Sequence, residues 1–237
     1  MKTQLSLIVP TKDEEAIYAK NINILHNYIK KLNFDKFEIL HPDYSKDSTP
    51  SLIKNFSKKH KEVKLITVNK KGIGAGVRAG ILSAKYSIMI FYPMDLSFDI
   101  SCIKRSVDAL IKENQDLVLS SRGLKGSKTK RPLPRRIMSF IYIQLANLLF
   151  HLHVKDSQGV MAFKNSTIRP YINKIISDDG FFQTEFVYYA RKYNQKIKEI
   201  PVDVIDLRKE SVSNPLKEGL SMFTNLIKKY IAIKKQS

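Results

Sequence analysis

Short apolar runs alternate with longer amphipathic segments along the first half of the chain. Five runs of five or six residues have the length and composition of buried strands: Leu5–Pro10, Phe37–His41, Lys64–Val68, Ser87–Tyr92 and Asp116–Ser121. Segments with helical spacing of apolar residues follow the first four. Because strand and helix alternate, the pattern predicts an α/β fold with a mostly parallel sheet. Ligands are then expected beyond the carboxyl ends of the strands.

The second half begins with a basic stretch and continues with an uncharged segment. Residues 122–136 hold seven basic residues and no acidic one, and Ile137–Val154 has no charged residue over 18 positions. That length reaches the lower limit for a membrane span, but Gln144, Asn147 and two histidines interrupt it. We therefore interpret it as an amphipathic or buried helix.

In the rest of the chain, the pattern of apolar and polar residues predicts a helix, an edge strand and an amphipathic tail helix. Phe181–Asn194 has helical character, and Ile197–Val204 alternates like an edge strand that tolerates its proline. From Asn214 onward, apolar residues recur every three or four positions with lysines opposite them. We expect one domain over 1–213 and a C-terminal amphipathic helix over 214–237.

The charge balance implies an anionic partner. Of 237 residues, 41 are lysine or arginine and 22 are aspartate or glutamate, so the formal net charge is +19. Nucleic acid, an anionic membrane surface or a phosphate-bearing substrate would each match that excess. The single cysteine, Cys102, excludes an internal disulfide framework and a cysteine-based zinc cluster, and it indicates a reducing, cytoplasmic setting.

Polar residues follow the predicted strands, and each set has both a structural and a functional interpretation. Asp13 and Glu14 stand where either a helix cap or nucleotide ligands belong. Asp43 can accept hydrogen bonds from a base or ribose, or it can form an Asx turn. The glycines of Gly72–Gly80 suit a phosphate loop or close packing of a helix on the sheet, and they do not match the P-loop. Asp95 is expected at the end of the fourth strand, where an acid can hold a divalent cation through oxygen.

Taken in order, these segments resemble the motifs of family 2 glycosyltransferases. Within that family they are most similar to the dolichol-phosphate mannose synthase group of polyprenyl-phosphate glycosyltransferases. The segments that carry the resemblance are Val9–Glu15, Pro42–Thr49, Gly72–Gly80, Met94–Ser97, Ser121–Gly123 and Asp156–Gly159. The resemblance extends over nearly the whole chain.

The resemblance implies a GT-A fold, a nucleotide-sugar donor and Mg²⁺ or Mn²⁺ as cofactor. It implies that Asp43 contacts the nucleotide and that Asp95, with Ser97, holds the metal. The other residues assigned to the nucleotide sugar are Pro10, Thr11, Asp13, Glu14, Gly72, Arg78 and Met94. Besides Asp95, the residues assigned to catalysis are Arg122, Arg136 and Arg208. Those assigned to the acceptor phosphate are Arg122, Arg131, Arg135, Ser139 and Arg208.

Two prolines depart from the family pattern. Pro42 stands where the first aspartate of the nucleotide motif is expected, and Pro93 replaces the first aspartate of the Asp-x-Asp metal motif. Asp156–Gly159 is also one residue short of its family counterpart. A catalytically impaired glycosyltransferase-like binding or scaffold protein is therefore the alternative to an enzyme.

The implied activity is inverting transfer of a hexose from a GDP- or UDP-sugar to a polyprenyl or dolichyl phosphate, as in protein glycosylation. An ionised phosphate acceptor needs no general base, whereas a hydroxyl acceptor would call on Glu185 or Asp156.

We predict peripheral binding at the cytoplasmic face of a membrane, beside a lipid acceptor. The prediction rests on the basic stretch, the uncharged helix and the tail helix taken together. Such a position also allows a membrane-protein partner. The alternative is that both helices simply pack on the sheet. We do not expect nucleic acid as a partner, because the basic residues are not interleaved with stacking aromatics.

Overall fold

The computed structural model describes residues 3–130, 132–205 and 215–236, and the side chains of 135, 215–222 and 236 lie outside this description. The elements in chain order are β1 Gln4–Ile8, α1 Glu15–Lys31, β2 Lys36–Asp43, α2 Thr49–Lys59, β3 Val63–Thr67, α3 Ile73–Ser83, β4 Ile88–Phe91, α4 Cys102–Lys112, β5 Leu117–Ser121, β6 Thr129–Lys130, α5 Leu133–Phe150, β7 Met161–Lys164, α6 Asn165–Ile168, a 3₁₀ turn Ile172–Lys174, α7 Phe181–Lys192, β8 Ile197–Pro201, β9 Val204–Ile205 and α8 Pro215–Gln236.

Seven of these strands form one sheet in the order β3-β2-β1-β4-β7-β5-β8. Only β7 among them runs antiparallel to its neighbours β4 and β5. The prediction of an α/β fold with a mostly parallel sheet is confirmed, and β8 occupies the predicted edge position. β6 and β9 pair separately as a short parallel ribbon.

Alternating strand residues feed two apolar cores, one on each face of the sheet. In β1, Leu5 and Leu7 pack with α1, α2 and α4, whereas Ile8 faces α3, α5 and α7. All three side chains are fully buried. The sheet is therefore covered on both faces, as the apolar composition of its strands requires.

The glycines of α3 allow that helix to lie close to the sheet. A Cβ atom on Gly80 would stand 2.3 Å from Cγ2 of Ile8, and one on Gly76 would stand 3.2 Å from Cβ of Pro10. For these two glycines the helix-packing interpretation is confirmed.

The predicted uncharged helix begins earlier and ends earlier than expected. α5 starts at Leu133, inside the basic stretch, because prolines suit the first turn of a helix. It stops at Phe150, where His151 takes a left-handed conformation with φ 50° and donates its N–H to the carbonyl of Asn147. Within the described ranges, no helix has both the length and the apolar content to cross a bilayer.

The tail helix α8 packs along α5. Leu226 and Ile233 are buried in the core on that face, and the ring of Tyr230 meets Phe150 edge-on at 5.4 Å. The division into 1–213 and 214–237 stays a prediction.

Candidate active site

One edge of the sheet gathers the predicted site residues in a row. The parallel strands β2, β1, β4 and β5 all end at this edge, and the antiparallel β7 begins there. Asp43, Thr11, Asp95 and Arg122 follow or end those strands in that spatial order. The segment 156–159 precedes β7 and so lies between the last two. The topology therefore brings together the motifs that sequence alone placed far apart.

Asp43 forms the floor of the crevice between β2 and β1. It is 5% exposed, and its Oδ1 accepts hydrogen bonds from Thr11 Oγ1 at 2.7 Å and Ser45 Oγ at 2.7 Å. Its Oδ2 accepts the Ser45 backbone N–H at 3.1 Å. This geometry confirms the Asx turn, and it fixes a carboxylate at the crevice in a single orientation. Contact with a nucleotide stays a prediction.

The loops after β1 and β2 are tied to each other by hydrogen bonds. Asp13 has φ 55°, and its Oδ1 accepts the Lys46 N–H at 2.8 Å. The prediction that Asp13 caps α1 is wrong, because its carboxylate is turned to the neighbouring loop. The N-cap residue is Glu14, whose N–H donates to Thr49 Oγ1 at 2.9 Å. Both predicted nucleotide ligands thus belong to a rigid, cross-linked rim.

Asp95 lies directly beyond β4 and is half-buried. Its Oδ1 accepts the Ser97 N–H at 3.0 Å across Leu96, which has φ 51°. The segment is then held from outside by β9, where Ile205 N–H donates to the Ser97 carbonyl at 2.9 Å. The carboxylate of Asp95 is therefore presented on a fixed turn at the sheet edge.

The oxygen donors at this edge fit a hard divalent cation. Mg²⁺ sites use one or two carboxylates and are completed by water and substrate phosphates. Asp95 supplies one half-buried carboxylate, and the oxygens of Asp43 are already hydrogen-bonded. Such a set suits a cation that depends on a bound diphosphate for its remaining ligands.

The surroundings of Pro42 explain why the first aspartate of the nucleotide motif is missing from this chain. Its side chain is buried against α3, where a Cβ on Gly80 would lie 3.1 Å from Cγ of Pro42. A residue at this position therefore faces the helix in this chain.

Three residues that were predicted to bind the nucleotide make contacts within the protein: Met94, Gly72 and Arg78. Met94 is 2% exposed in the core, and its carbonyl accepts from Asn21 Nδ2 at 3.0 Å. Gly72 has φ 130°, and a Cβ there would stand 2.0 Å from the Asp178 carbonyl oxygen.

Arg78 anchors the loop before α7. Its guanidinium donates to the carbonyls of Ile172, Ile175 and Ser177 at 3.1, 2.6 and 3.0 Å. It also lies 3.6 Å from a carboxylate oxygen of Asp178. These contacts direct its donors into the protein.

Arg122 and Asp156 form a buried ion pair beyond β5. Arg122 Nε donates to Asp156 Oδ2 at 2.5 Å and Nη2 donates to Oδ1 at 2.8 Å. Burial alone would raise the pKa of the Asp156 carboxyl, but the hydrogen bonds and charge of Arg122, with the Gln158 N–H, outweigh it and hold that pKa below its usual range. An ionised, fully engaged carboxylate is a poor general base.

Glu185, the other candidate base, is fully buried in α7. Its two oxygens accept the N–H groups of Ile176 and Ser177 at 2.9 and 3.0 Å. Its role in the fold is to hold the loop that precedes the helix.

Beside the ion pair lies a cavity of about 1090 Å³. Among the described residues, four basic side chains and two acidic ones line it, the basic ones being Arg122, Arg136, Lys155 and Lys229. Its apolar wall comes from α5, α7 and α8 and includes Ile137, Phe140, Phe181 and Leu226. We call this space the amphiphilic cavity. It suits a ligand with an anionic head and an apolar chain.

A hydroxyl network forms the polar end of the amphiphilic cavity. Thr184 Oγ1 lies 2.6 Å from Tyr142 Oη, 3.0 Å from Ser157 Oγ and 2.9 Å from Gln158 Nε2. Burial raises the pKa of Tyr142, so its hydroxyl stays protonated. The sequence motif 156–159 pointed to this region, whereas nothing in the sequence indicated Thr184, Lys155 or Lys229.

The residues predicted for the acceptor phosphate, together with Arg136, which was predicted for catalysis, divide into two groups. Arg122, Arg136 and Ser139 line the amphiphilic cavity. Arg131, Arg208 and the side chain of Arg135 lie outside the described residues.

Comparison with known proteins agrees with this arrangement. The chain is 28% identical over 239 residues to a dolichyl-phosphate beta-glucosyltransferase of Trichomonas vaginalis, covering 94% of this chain and 72% of that protein. It is 26% identical over 239 residues to the dolichyl-phosphate beta-glucosyltransferase of Dictyostelium discoideum, covering 94% and 73%.

Among solved structures, glucosyl-3-phosphoglycerate synthase of Mycobacterium tuberculosis in complex with Mn²⁺, UDP and phosphoglyceric acid superposes with a TM-score of 0.68 at 15% identity, covering 98% of this chain and 78% of that one. The same enzyme in complex with Mn²⁺ and UDP-glucose gives a TM-score of 0.67. This likeness shows that the fold is GT-A. The profile of glycosyl transferase family 2 matches residues 6–178, a segment that contains the crevice, the ion pair and most of the amphiphilic cavity. With that match spanning more than half its length, the chain belongs to glycosyl transferase family 2 and is by homology a hexosyltransferase.

Proposed function

We propose that this glycosyltransferase moves a hexose from a nucleotide sugar to a polyprenyl phosphate bound in the amphiphilic cavity. The observation that carries the proposal is the pairing of an apolar wall with four basic side chains at the same sheet edge as Asp43 and Asp95. A phosphate held by the basic residues can leave its isoprenoid chain along the apolar wall. The names of the relatives, which act on dolichyl phosphate, support this acceptor class.

UDP-glucose is the donor we propose first. The structural neighbours bind UDP and UDP-glucose, and the curated relatives are beta-glucosyltransferases. Asp43 and the cross-linked loops around it offer a preorganised edge for the nucleoside. Asp95 would hold Mg²⁺ or Mn²⁺, and that cation, when bound, supplies positive charge that stabilises the departing diphosphate.

Transfer requires one bond to form and one to break at the anomeric carbon. A phosphate oxygen of the acceptor attacks from the face opposite the nucleotide, the glycosidic bond to the diphosphate breaks, and the configuration inverts. The acceptor oxygen is already ionised, so no proton has to be removed. The engaged state of Asp156 and Glu185 fits such a reaction, because neither is available as a base.

The cavity residues divide the work of binding the acceptor. Arg136 and Lys155 are exposed on its rim, whereas Lys229 is half-buried and donates to Ser177 Oγ at 3.0 Å. Arg122 is oriented by its fork with Asp156. The two cations on the rim can bind the acceptor phosphate first, and the two deeper ones can then hold it in the position where it reacts.

An exposed apolar stripe on α5 supports docking at a membrane. Leu133, Ile137, Phe140, Ile141 and Leu148 lie within one face of the helix and are 44–70% exposed. The basic stretch 122–136 ends in the first turn of the same helix. An apolar face flanked by positive charge is typical of interfacial binding to anionic lipids. Such docking would bring the mouth of the amphiphilic cavity to the lipid acceptor.

The test is a transfer assay with matched donors and acceptors. UDP-glucose, UDP-galactose and GDP-mannose are each incubated with Mn²⁺ and a short polyprenyl phosphate, labelled lipid is extracted into organic solvent, and water-soluble products are separated from the remaining aqueous phase. Unphosphorylated polyprenol and 3-phosphoglycerate serve as control acceptors. We expect lipid-linked sugar only with polyprenyl phosphate. Transfer to 3-phosphoglycerate alone would refute the lipid acceptor, and the absence of transfer from every donor would favour the impaired binding protein.

A further inference from the structure

Three potential metal ligands converge at the sheet edge opposite the active site. Suitable atoms of His26, His60 and Glu62 all lie within 4.8 Å of one another. His26 belongs to α1, His60 directly follows α2, and Glu62 directly precedes β3. The donor crevice lies beyond the carboxyl ends of the strands, whereas this cluster lies at the amino end of β3. The two sites are therefore at opposite ends of the strands.

The cluster is partly enclosed and internally connected. His26 Nε2 lies 2.6 Å from Glu62 Oε1, and the side chains are 3% and 28% exposed, respectively. The imidazole rings of His26 and His60 have their centroids 4.3 Å apart. One ligand therefore comes from the interior, while the other two lie where a solvent ion can reach them.

Aromatic side chains hold both imidazoles in place. Phe56 stacks on His60 with centroids 4.3 Å apart and meets His26 edge-on at 5.6 Å. Phe37 packs against the other side of His26 at 5.9 Å. Rigid, partly dry surroundings of this kind orient metal ligands and limit solvent access.

We propose that His26, His60 and Glu62 form a second site for a zinc-type divalent transition metal, with water as the fourth ligand. Two imidazoles and one carboxylate are a common zinc ligand set. Bonds of about 2.0–2.1 Å to a tetrahedral ion put neighbouring ligand atoms about 3.3 Å apart. The 2.6 Å contact of His26 with Glu62 must widen, and His60 must move inward. On coordination through Nε2, the proton on that nitrogen of His26 shifts to Nδ1.

The metal would join three elements that otherwise meet at this edge through side-chain packing and the contact of His26 with Glu62. It would fasten α1 to the turn between α2 and β3, and so stabilise the half of the domain that carries Asp43. Binding to the folded state alone raises the unfolding temperature, and the rise grows with the free metal concentration.

The experiment titrates the purified full chain with Co²⁺ in the absence of nucleotide, and follows visible absorption and Zn²⁺-dependent unfolding temperature. We expect one Co²⁺ per chain with the strong absorption of a tetrahedral site, and a higher unfolding temperature with Zn²⁺. His60→Ala and the near-isosteric Glu62→Gln should each weaken Co²⁺ binding at least about tenfold.

Two controls separate this site from other metal binding. The double variant His151→Asn, His153→Asn removes two exposed histidines elsewhere on the surface. Asp95→Asn removes the carboxylate of the donor crevice. Both should bind Co²⁺ as the wild type does. The proposal is overturned if no tetrahedral signal forms, if Glu62→Gln binds as tightly as the wild type, or if either control abolishes the signal.

Discussion

Arg122 grips Asp156 with two parallel hydrogen bonds, Nε to Oδ2 at 2.5 Å and Nη2 to Oδ1 at 2.8 Å, in the wall of the amphiphilic cavity. The carboxylate is 5% exposed and also accepts the backbone N–H groups of Arg122 and Gln158. The pair therefore links β5 to the loop before β7. It shapes the cavity as well as contributing charge to it.

Loss of the Asp156 charge should destabilise the fold. Asp156→Asn removes the charge that pairs with the guanidinium of Arg122, whose side chain is 16% exposed, and we expect the free energy of unfolding to fall by about 2–3 kcal/mol. Urea denaturation at neutral pH measures it. Asp108→Asn is the matched control, because Asp108 pairs with Lys104 and Lys112 on the surface and should cost at most about 1 kcal/mol. Equal effects of the two substitutions would contradict this account.

Stability should decline as the pH falls below about 6.5, and His41 should contribute to that decline. Its ring is fully buried and donates from Nδ1 to the Val9 carbonyl at 3.1 Å, and burial lowers its pKa to about 4. Between the unfolded value of about 6.5 and the folded one, only the unfolded chain binds this proton. One such group lowers stability by up to about 1.4 kcal/mol per pH unit over that window.

His41→Asn keeps a donor for Val9 but does not titrate. Unfolding free energies measured from pH 4 to 7 should show a shallower slope for this variant than for the wild type. His153→Asn, at an exposed position, should leave the slope unchanged. Parallel slopes for wild type and His41→Asn would show that His41 is not buried as a neutral imidazole.

Because α3 lies close to β1, replacing Gly80 with alanine should lower the free energy of unfolding. The Cβ of Gly80→Ala would stand 2.3 Å from Ile8 Cγ2, so we expect a loss of about 1–3 kcal/mol in spite of the better helix propensity of alanine. Thermal and urea unfolding measure it. Gly180→Ala is the control, since the nearest atom to its new Cβ lies 3.8 Å away. A Gly80→Ala protein as stable as the wild type would refute the packing.

The exposed face of α5 should bind anionic membranes. Phe140 and Leu148 are 64% and 70% exposed, and each large apolar side chain contributes about 1.5 kcal/mol or more when it leaves water. The double variant Phe140→Ser, Leu148→Ser should bind phosphatidylserine-containing vesicles at least about tenfold more weakly in a sedimentation assay. Leu82→Ser, which removes a 64% exposed leucine from α3, should have no effect. Equal vesicle binding by all three proteins would remove α5 from the membrane contact.

Sequence periodicity could predict the parallel part of the sheet because β1–β5 are apolar runs separated by helical patterns. It missed β7, since Met161–Lys164 has only four residues and alternation cannot be recognised over so short a stretch. That strand is defined by its two partners, β4 and β5, which are distant in sequence.

The candidate site was predictable where its residues lie at or shortly after the ends of strands, as Asp43, Asp95 and Arg122 do. Lys229 reaches the amphiphilic cavity only through the packing of α8, and lysine-rich periodicity in α8 gave no reason to single it out. Thr184, which is buried in α7, contacts the cavity residues Tyr142, Ser157 and Gln158 only in the folded chain. Likewise, the sequence showed proline at position 42, but only the fold shows that its side chain faces α3.

The most direct test of the proposed function compares initial rates of sugar transfer to polyprenyl phosphate in Mn²⁺ for wild type, Asp95→Asn and Asp99→Asn. Asp99 lies in the same loop but turns to Arg105, with Oδ2 3.1 Å from Nη2. We predict that Asp95→Asn loses at least about hundredfold in rate, because metal-assisted charge stabilisation amounts to several kcal/mol, while Asp99→Asn stays near wild type. An Asp95→Asn enzyme with the wild-type rate would contradict the central claim that a single carboxylate at the sheet edge organises the donor.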